Sequence, residues 1–233
     1  TNRGLLVTVL AQSIVDVTGR PVPASINAIS MGDVAIESFA DRLLPLLVLM
    51  AVVLGGTLVP AVSLVDEKQR GTLRALVITP ASLLEVITAK GLLGVGVSLV
   101  MGLIILVLNQ ALGTQPLLLL SVLALGGIAA AAFGVLLGTL ARDTNMLFTI
   151  IKAMALLLYA PALINLIPSL PQWLAQLFPT YYLIGPVIEI TENGSGLPEI
   201  AGMIAVLIAL IVILIGGVAL LLGQERRREA LAA

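Results

Sequence analysis

PLLVLMAVVLGGTLVPAVSLV, residues 45–65, runs for 21 positions without a charged side chain. At about 1.5 Å per residue, a helix of that length matches a hydrocarbon core of about 30 Å. Four further runs repeat the pattern: Gly91–Leu112, Pro116–Ala141, Met146–Ile167 and Ile200–Leu222. Lys152 and Pro161 interrupt the fourth, and the fifth carries no charge. Hydrophobic residues make up 59% of the 233, and charged residues only 11%. A soluble domain carries about 25% charge, so too little polar side chain exists here to coat a water-facing surface. An outer-membrane barrel would need aromatic girdles and shorter alternating strands, and aromatics are only 3% of the chain. The predicted fold is an all-α integral membrane protein with five transmembrane helices in residues 45–222.

The basic residues orient the spans. Lys68, Arg70, Arg74 and Lys90 lie between the first two. Arg142 lies between the third and fourth with Lys152 near that side, and Arg226, Arg227 and Arg228 follow the fifth. That is nine of 12 on one side; the other three, Arg3, Arg20 and Arg42, precede the first span. The cytoplasmic side therefore receives the loop 66–90 and the tail 223–233. The cell (inner) membrane is the expected location, with a cytoplasmic C-terminus. Residues 1–44 read as the end of an external segment, with a short amphipathic helix over Leu5–Val17 and a turn over Thr18–Pro23. An external N-terminus without a signal peptide is awkward to make, so an upstream helix is expected, giving six spans in the full chain.

Histidine and cysteine are both absent. Disulfides, thiol nucleophiles, Cys metal sites and most metal or triad chemistry go with them. The net charge of −1 gives no pull toward nucleic acid. No Gly-x-x-x-x-Gly-Lys-Ser/Thr occurs, so the chain forms no P-loop of the usual kind.

The loop DEKQRGTLRALVITPASLLEVITAK, Asp66–Lys90, starts charged and becomes apolar again. Pro80 disfavours helix at Thr79 and suits the first turn of a new one. Ser82 and Glu85 have capping-box spacing, a competing start. A short helix on the cytoplasmic face is predicted, either lying among headgroups or offered to a partner.

Glu67, Gly71-Thr72-Leu73, Leu76, Thr79-Pro80, Glu85 and Lys90 resemble the pattern of type-2 ABC exporter permeases. Arg74 departs from it, since many relatives carry an acid there. A second, looser similarity lies in Ile167–Leu183, where Pro168, Pro171, Trp173, Pro179, Tyr181 and Tyr182 occupy an external loop. The resemblance covers most of residues 40–229. It implies that Gly71–Ala89 is a coupling helix docking on an ABC ATPase subunit, present in two copies. It implies a second permease copy or paralogue, and no cofactor on this chain. ATP and magnesium would belong to the partner. It further implies that residues 168–190 form a re-entrant helical hairpin serving as external gate; a plain aromatic anchor at the outer interface is the alternative.

Small residues recur every fourth position in the third span, at Gly126, Ala130, Gly134 and Gly138, and in the second at Gly94, Ser98 and Gly102. Such ridges let helix backbones approach closely in lipid. Internal packing is the first expectation; a dimer seam or pathway lining is the other. Lys152 reads as snorkelling to headgroups, or else as a paired or substrate-binding group. Glu189, Glu192 and Glu199 make the external end acidic: a solvated loop, or a weak attraction for cations. The leading function is a permease subunit of an ATP-driven exporter that performs no hydrolysis itself. An ion-coupled secondary transporter or channel is the alternative, and an intramembrane enzyme lacks the residues it would need.

Overall fold

The computed structural model describes residues 39–72, 83–113, 115–167 and 169–232. Among the described residues six α-helices follow in order: α1 Phe39–Arg70, α2 Leu83–Leu108, α3 Pro116–Leu140, α4 Thr144–Leu166, α5 Tyr181–Glu192 and α6 Leu197–Ala232. A short 3-10 helix, Gln172–Leu177, sits between α4 and α5. Among the described residues there is no strand. Five of the helices are long and apolar enough to cross a membrane, and α5 is the one that is not. The all-α membrane architecture predicted from the runs is the one the chain adopts. The expected amphipathic helix over Leu5–Val17 lies outside the described residues.

Local chemistry sets the boundaries. Pro116 starts α3, where its missing N–H would have had no intrahelical partner. Asp143 caps α4 by accepting a hydrogen bond from the Met146 backbone N–H at 2.8 Å. Gly71, at φ +71, closes α1 in the left-handed conformation, its N–H donating to the Lys68 carbonyl.

The helices outrun the apolar stretches of sequence. Asp66–Arg70 continue α1, and Leu83–Lys90 are the first turns of α2 rather than a separate surface helix. Only residues 71–82 join the two helices. The reason is that Ile87 and Lys90 bury against the bundle at helical spacing, and no proline interrupts the chain between 83 and 108. Whatever structure residues 73–82 have lies outside the described residues, and with it the expected roles of Leu73, Leu76, Thr79 and Pro80.

α1 and α3 form the centre, with most of their membrane-length stretches buried; α2, α4 and α6 are each less than a third buried. The α1–α2–α3 junction is a seam of small residues. A Cβ on Gly134 would lie 2.4 Å from the Thr57 carbonyl oxygen and 2.9 Å from Pro60 Cγ. One on Gly94 would lie 2.8 Å from the Gly56 carbonyl oxygen. Ala130 is buried, and its carbonyl accepts a hydrogen bond from Thr57 Oγ1 at 3.2 Å. Ser98 Oγ donates to the Val52 carbonyl at 2.8 Å. Gly138 meets Ala61 and Leu64, and Gly126 meets Leu183 of α5. Gly126, Gly134 and Gly138 of the ridge thus meet other helices of the same chain, while Ala130 meets α1 and also lines an apolar cavity.

The outward faces of α2, α4 and α6 are greasy: Leu92, Leu93, Leu108, Leu156, Val212, Ile213 and Leu220 all stand exposed. In a membrane protein, lipid tails or a neighbouring helix supply the missing contact.

Candidate functional site: a hub at the end of the first long helix

Successive residues on an α-helix point about 100° apart. At the end of α1 that rotation sends three consecutive side chains to three different helices. Glu67 Oε1 accepts from Lys90 Nζ of α2 at 2.7 Å, and Lys90 also donates to Ser63 Oγ. Lys68 Nζ donates to the Gly138 carbonyl of α3 at 2.9 Å, and to those of Thr139 and Ala141. Gln69 Oε1 accepts from Thr144 Oγ1 of α4 at 3.0 Å. Arg70 turns back to Asp66, four residues away, in an exposed pair that contributes little.

These contacts differ in weight. Lys90 is only 8% exposed, and its partner Glu67 has a second oxygen, Oε2, that is buried and accepts nothing among the described residues. A charge held that deep depends on its partner, because removing either leaves the other uncompensated in a low dielectric. The Lys68 ammonium sits where the terminal carbonyls of α3 carry the negative end of the helix dipole, so the contact is favourable in both charge and hydrogen bonding.

Of the nine residues expected to make the coupling site, the structure brings Glu67 and Lys90 into direct contact. Gly71 follows in the turn, and after it Thr72 Oγ1 donates to the Glu67 carbonyl at 3.2 Å. Glu85 lies in the first turn of α2. Leu73, Leu76, Thr79 and Pro80 fall outside the described residues. Sequence reasoning missed Ser63, Lys68 and Gln69. Lys68 was legible only as one more cytoplasmic cation, since nothing in the sequence says that the end of α3 lies beside it.

The opposite end of the bundle holds the proposed gate segment. Gln115 Nε2 donates to the Gly194 carbonyl at 3.2 Å, which ties the α2–α3 turn to the α5–α6 turn there. Pro171 precedes the 3-10 helix and Trp173 stands 61% exposed on it. Pro168 lies outside the described residues. Tyr181 and Tyr182 open α5 with their rings edge to face, 5.5 Å between centroids. Tyr182 Oη donates to the Gln176 carbonyl. Ile184 and Val187 are buried, so α5 packs into the bundle. Burial pushes the Tyr181 phenol above its ordinary value; a hydrogen bond with Gln176 opposes that, while Glu189 and Tyr182 add to it. The phenol is therefore a protonated donor at neutral pH.

Two cavities flank α5. One, about 280 Å³, is apolar and is walled by α1, α3, α4 and α6, with Thr57 and Thr180 its only polar side chains among the described residues. Thr180 Oγ1 is buried without a hydrogen-bond partner among the described residues. The other, about 220 Å³, mixes rings and polar groups; Trp173 and Tyr181 line it together. Pro179 lines the apolar cavity, whereas Pro171 and Tyr182 line neither. Lys152 is exposed on α4, with no hydrogen bond or ion pair among the described residues, which fits a snorkelling cation rather than a paired one.

A model of the family described as ABC-2 family transporter protein matches residues 5–221, nearly the whole chain. No curated protein and no solved structure matches it significantly.

Proposed function

The chain belongs to the ABC-2 transporter family and is a permease component of an ABC transporter; from that premise we propose that it is the membrane subunit of an exporter driven by a separate ATPase. Two permease copies, or one with a paralogue, enclose the pathway. Two ATPase subunits dock on the cytoplasmic side at Gly71–Ala89 and hold the ATP and magnesium. Hydrolysis is assigned to them; no P-loop motif occurs in the 233 residues.

The observation that supports this most is the hub. The segment 71–82 leaves α1 one residue after Arg70, beside side chains fastened to α2, α3 and α4. A displacement delivered there by closing ATPases moves four helices as one body. That is what a rigid-body switch between inward- and outward-open states needs. A loose loop would dissipate the same displacement. The greasy outer faces leave the apolar cavity beside α5 as the reservoir of space for an apolar or amphiphilic substrate.

The test is to purify the complex from membranes and ask whether a P-loop ATPase accompanies the chain. Replacing Leu76, Thr79 and Glu85 with alanine together should release that ATPase or abolish stimulation of its turnover. If no ATPase associates, or if the triple variant retains full coupling, the proposal fails. Substrate movement in inverted and right-side-out vesicles then assigns direction, and uptake into inverted vesicles is the result that export requires.

A further inference from the structure

The mixed cavity at the end of the bundle opposite the hub has a composition that transport coupling does not account for. Its wall comes from α4, the 3-10 helix and α5, and includes Asn165, Trp173, Gln176, Tyr181 and Glu189. Glu189 brings a full negative charge. Its Oε2 accepts from Asn193 Nδ2 at 2.8 Å and from Ser195 Oγ at 3.0 Å, both neutral donors. Its Oε1 accepts no hydrogen bond among the described residues. No Lys or Arg among them lines the cavity. The carboxylate is thus held in place by neutral groups and left electrically uncompensated.

The two ring systems are the second half of the pattern. Tyr181 and Glu189 are eight residues apart on α5, hence on one face. Trp173 reaches the same space from the 3-10 helix. An indole and a phenol lining one space with a carboxylate attract an organic cation, through the ring quadrupoles and the opposite charge together. An anion would meet repulsion, and a neutral apolar ligand would leave the carboxylate desolvated and unpaired. The volume, about 220 Å³, is below that of drug-sized sites. It suits a compact head rather than a large molecule.

We propose that this cavity is a binding site for a small organic ammonium group, contacted by Trp173, Tyr181 and Glu189. The group is either a free ammonium compound or the ammonium headgroup of a membrane lipid. The site is separate from the ATPase-docking end, and its occupancy requires neither the ATPase nor transport. Failure of one reading therefore leaves the other standing.

Trp173 is the single tryptophan in the sequence, so its fluorescence reports on the cavity directly. The full chain is reconstituted in nanodiscs of phosphatidylglycerol and titrated with choline. The neutral isostere 3,3-dimethylbutan-1-ol serves as control. Choline should give a saturable change in emission and the isostere none. Glu189→Gln should weaken binding at least about tenfold, the scale of a lost charge-assisted contact. Adding Gln176→Glu to that variant should recover part of the loss, which a merely misfolded protein would not do. Tyr181→Phe keeps the ring and should stay within about threefold, whereas Tyr181→Ala should lose about fivefold. Nanodiscs of phosphatidylcholine distinguish the sources. If the lipid headgroup is the occupant, emission starts at the shifted value and choline adds nothing; if the free compound is, choline still titrates. The proposal is overturned if choline gives no saturable change in either lipid, if the neutral isostere binds equally well, or if Glu189→Gln leaves binding unchanged.

Discussion

Glu67, Lys68 and Gln69 illustrate how much a helix end can do with three residues. Each is polar and, read along the chain, looks like ordinary cytoplasmic charge. The 100° step of the helix makes them a three-way fastening. The Glu67–Lys90 pair carries the largest energetic consequence. Lys90→Met leaves Glu67 part-buried without its cation, and should cost about 3–5 kcal/mol. Glu67→Gln with Lys90→Met removes both charges and should recover most of that. Thermal unfolding in detergent measures both variants, and equal losses for the single and double variants would show that the pair is not coupled. The double variant also probes function: it should show reduced stimulation of ATP turnover. Lys90 and Glu67 were both singled out from the sequence, through resemblance to a family pattern. Their mutual contact was not legible there, since 23 positions separate them.

At the scale of elements, the small-residue seam decides how closely α1, α2 and α3 approach. Gly134→Val adds a branched side chain 2.4 Å from the Thr57 carbonyl oxygen, and backbone cannot yield as a flexible side chain can. The variant should force α1 and α3 apart and lose several kcal/mol, about the upper range for overpacking. Gly202→Ala is the internal comparison. Nothing lies within 4 Å of a Cβ there, and the site is exposed on α6. It should be neutral or gain up to about 1 kcal/mol from helix propensity. Unfolding of the two variants side by side checks the pair, and equal stability would refute the close-packed seam. The four-residue spacing of Gly126, Ala130, Gly134 and Gly138 announced a packing ridge in the sequence. Its partner was not announced, because a ridge records only that some backbone comes close. Elsewhere the elements departed from the hydropathy runs. α2 begins at Leu83 and α1 ends at Arg70, since helices continue past the apolar boundary wherever their polar residues find partners. α6 is 36 residues long, about 54 Å as a helix, against a hydrocarbon core of about 30 Å.

For the whole molecule, orientation is the property most open to direct measurement. The sequence contains no cysteine, so single cysteines can be introduced without background. Thr72→Cys, beyond the hub, should react with an impermeant thiol reagent only from the cytoplasmic side. Asn193→Cys, at the exposed α5–α6 turn, should react only from outside. Labelling of both from one face would overturn the assignment of the basic loops to the cytoplasm. At this scale the sequence was most informative. Helix class, span number and family all followed from long apolar runs and one loop motif, and the family match over residues 5–221 agrees with the resemblance seen there.

The sequence by itself determined that this protein is a helical bundle in lipid, because hydropathy acts locally and is written in consecutive residues; its family was carried by the loop motif it resembles and by the match over residues 5–221. Only the tertiary structure decided which polar groups meet. Lys68 capping α3, Gln69 meeting Thr144, and Trp173 sharing a cavity with Tyr181 and Glu189 all join separate elements. Such meetings depend on the angle and depth at which helices pack, and those are set by shape complementarity along whole helix faces rather than by any one stretch of chain.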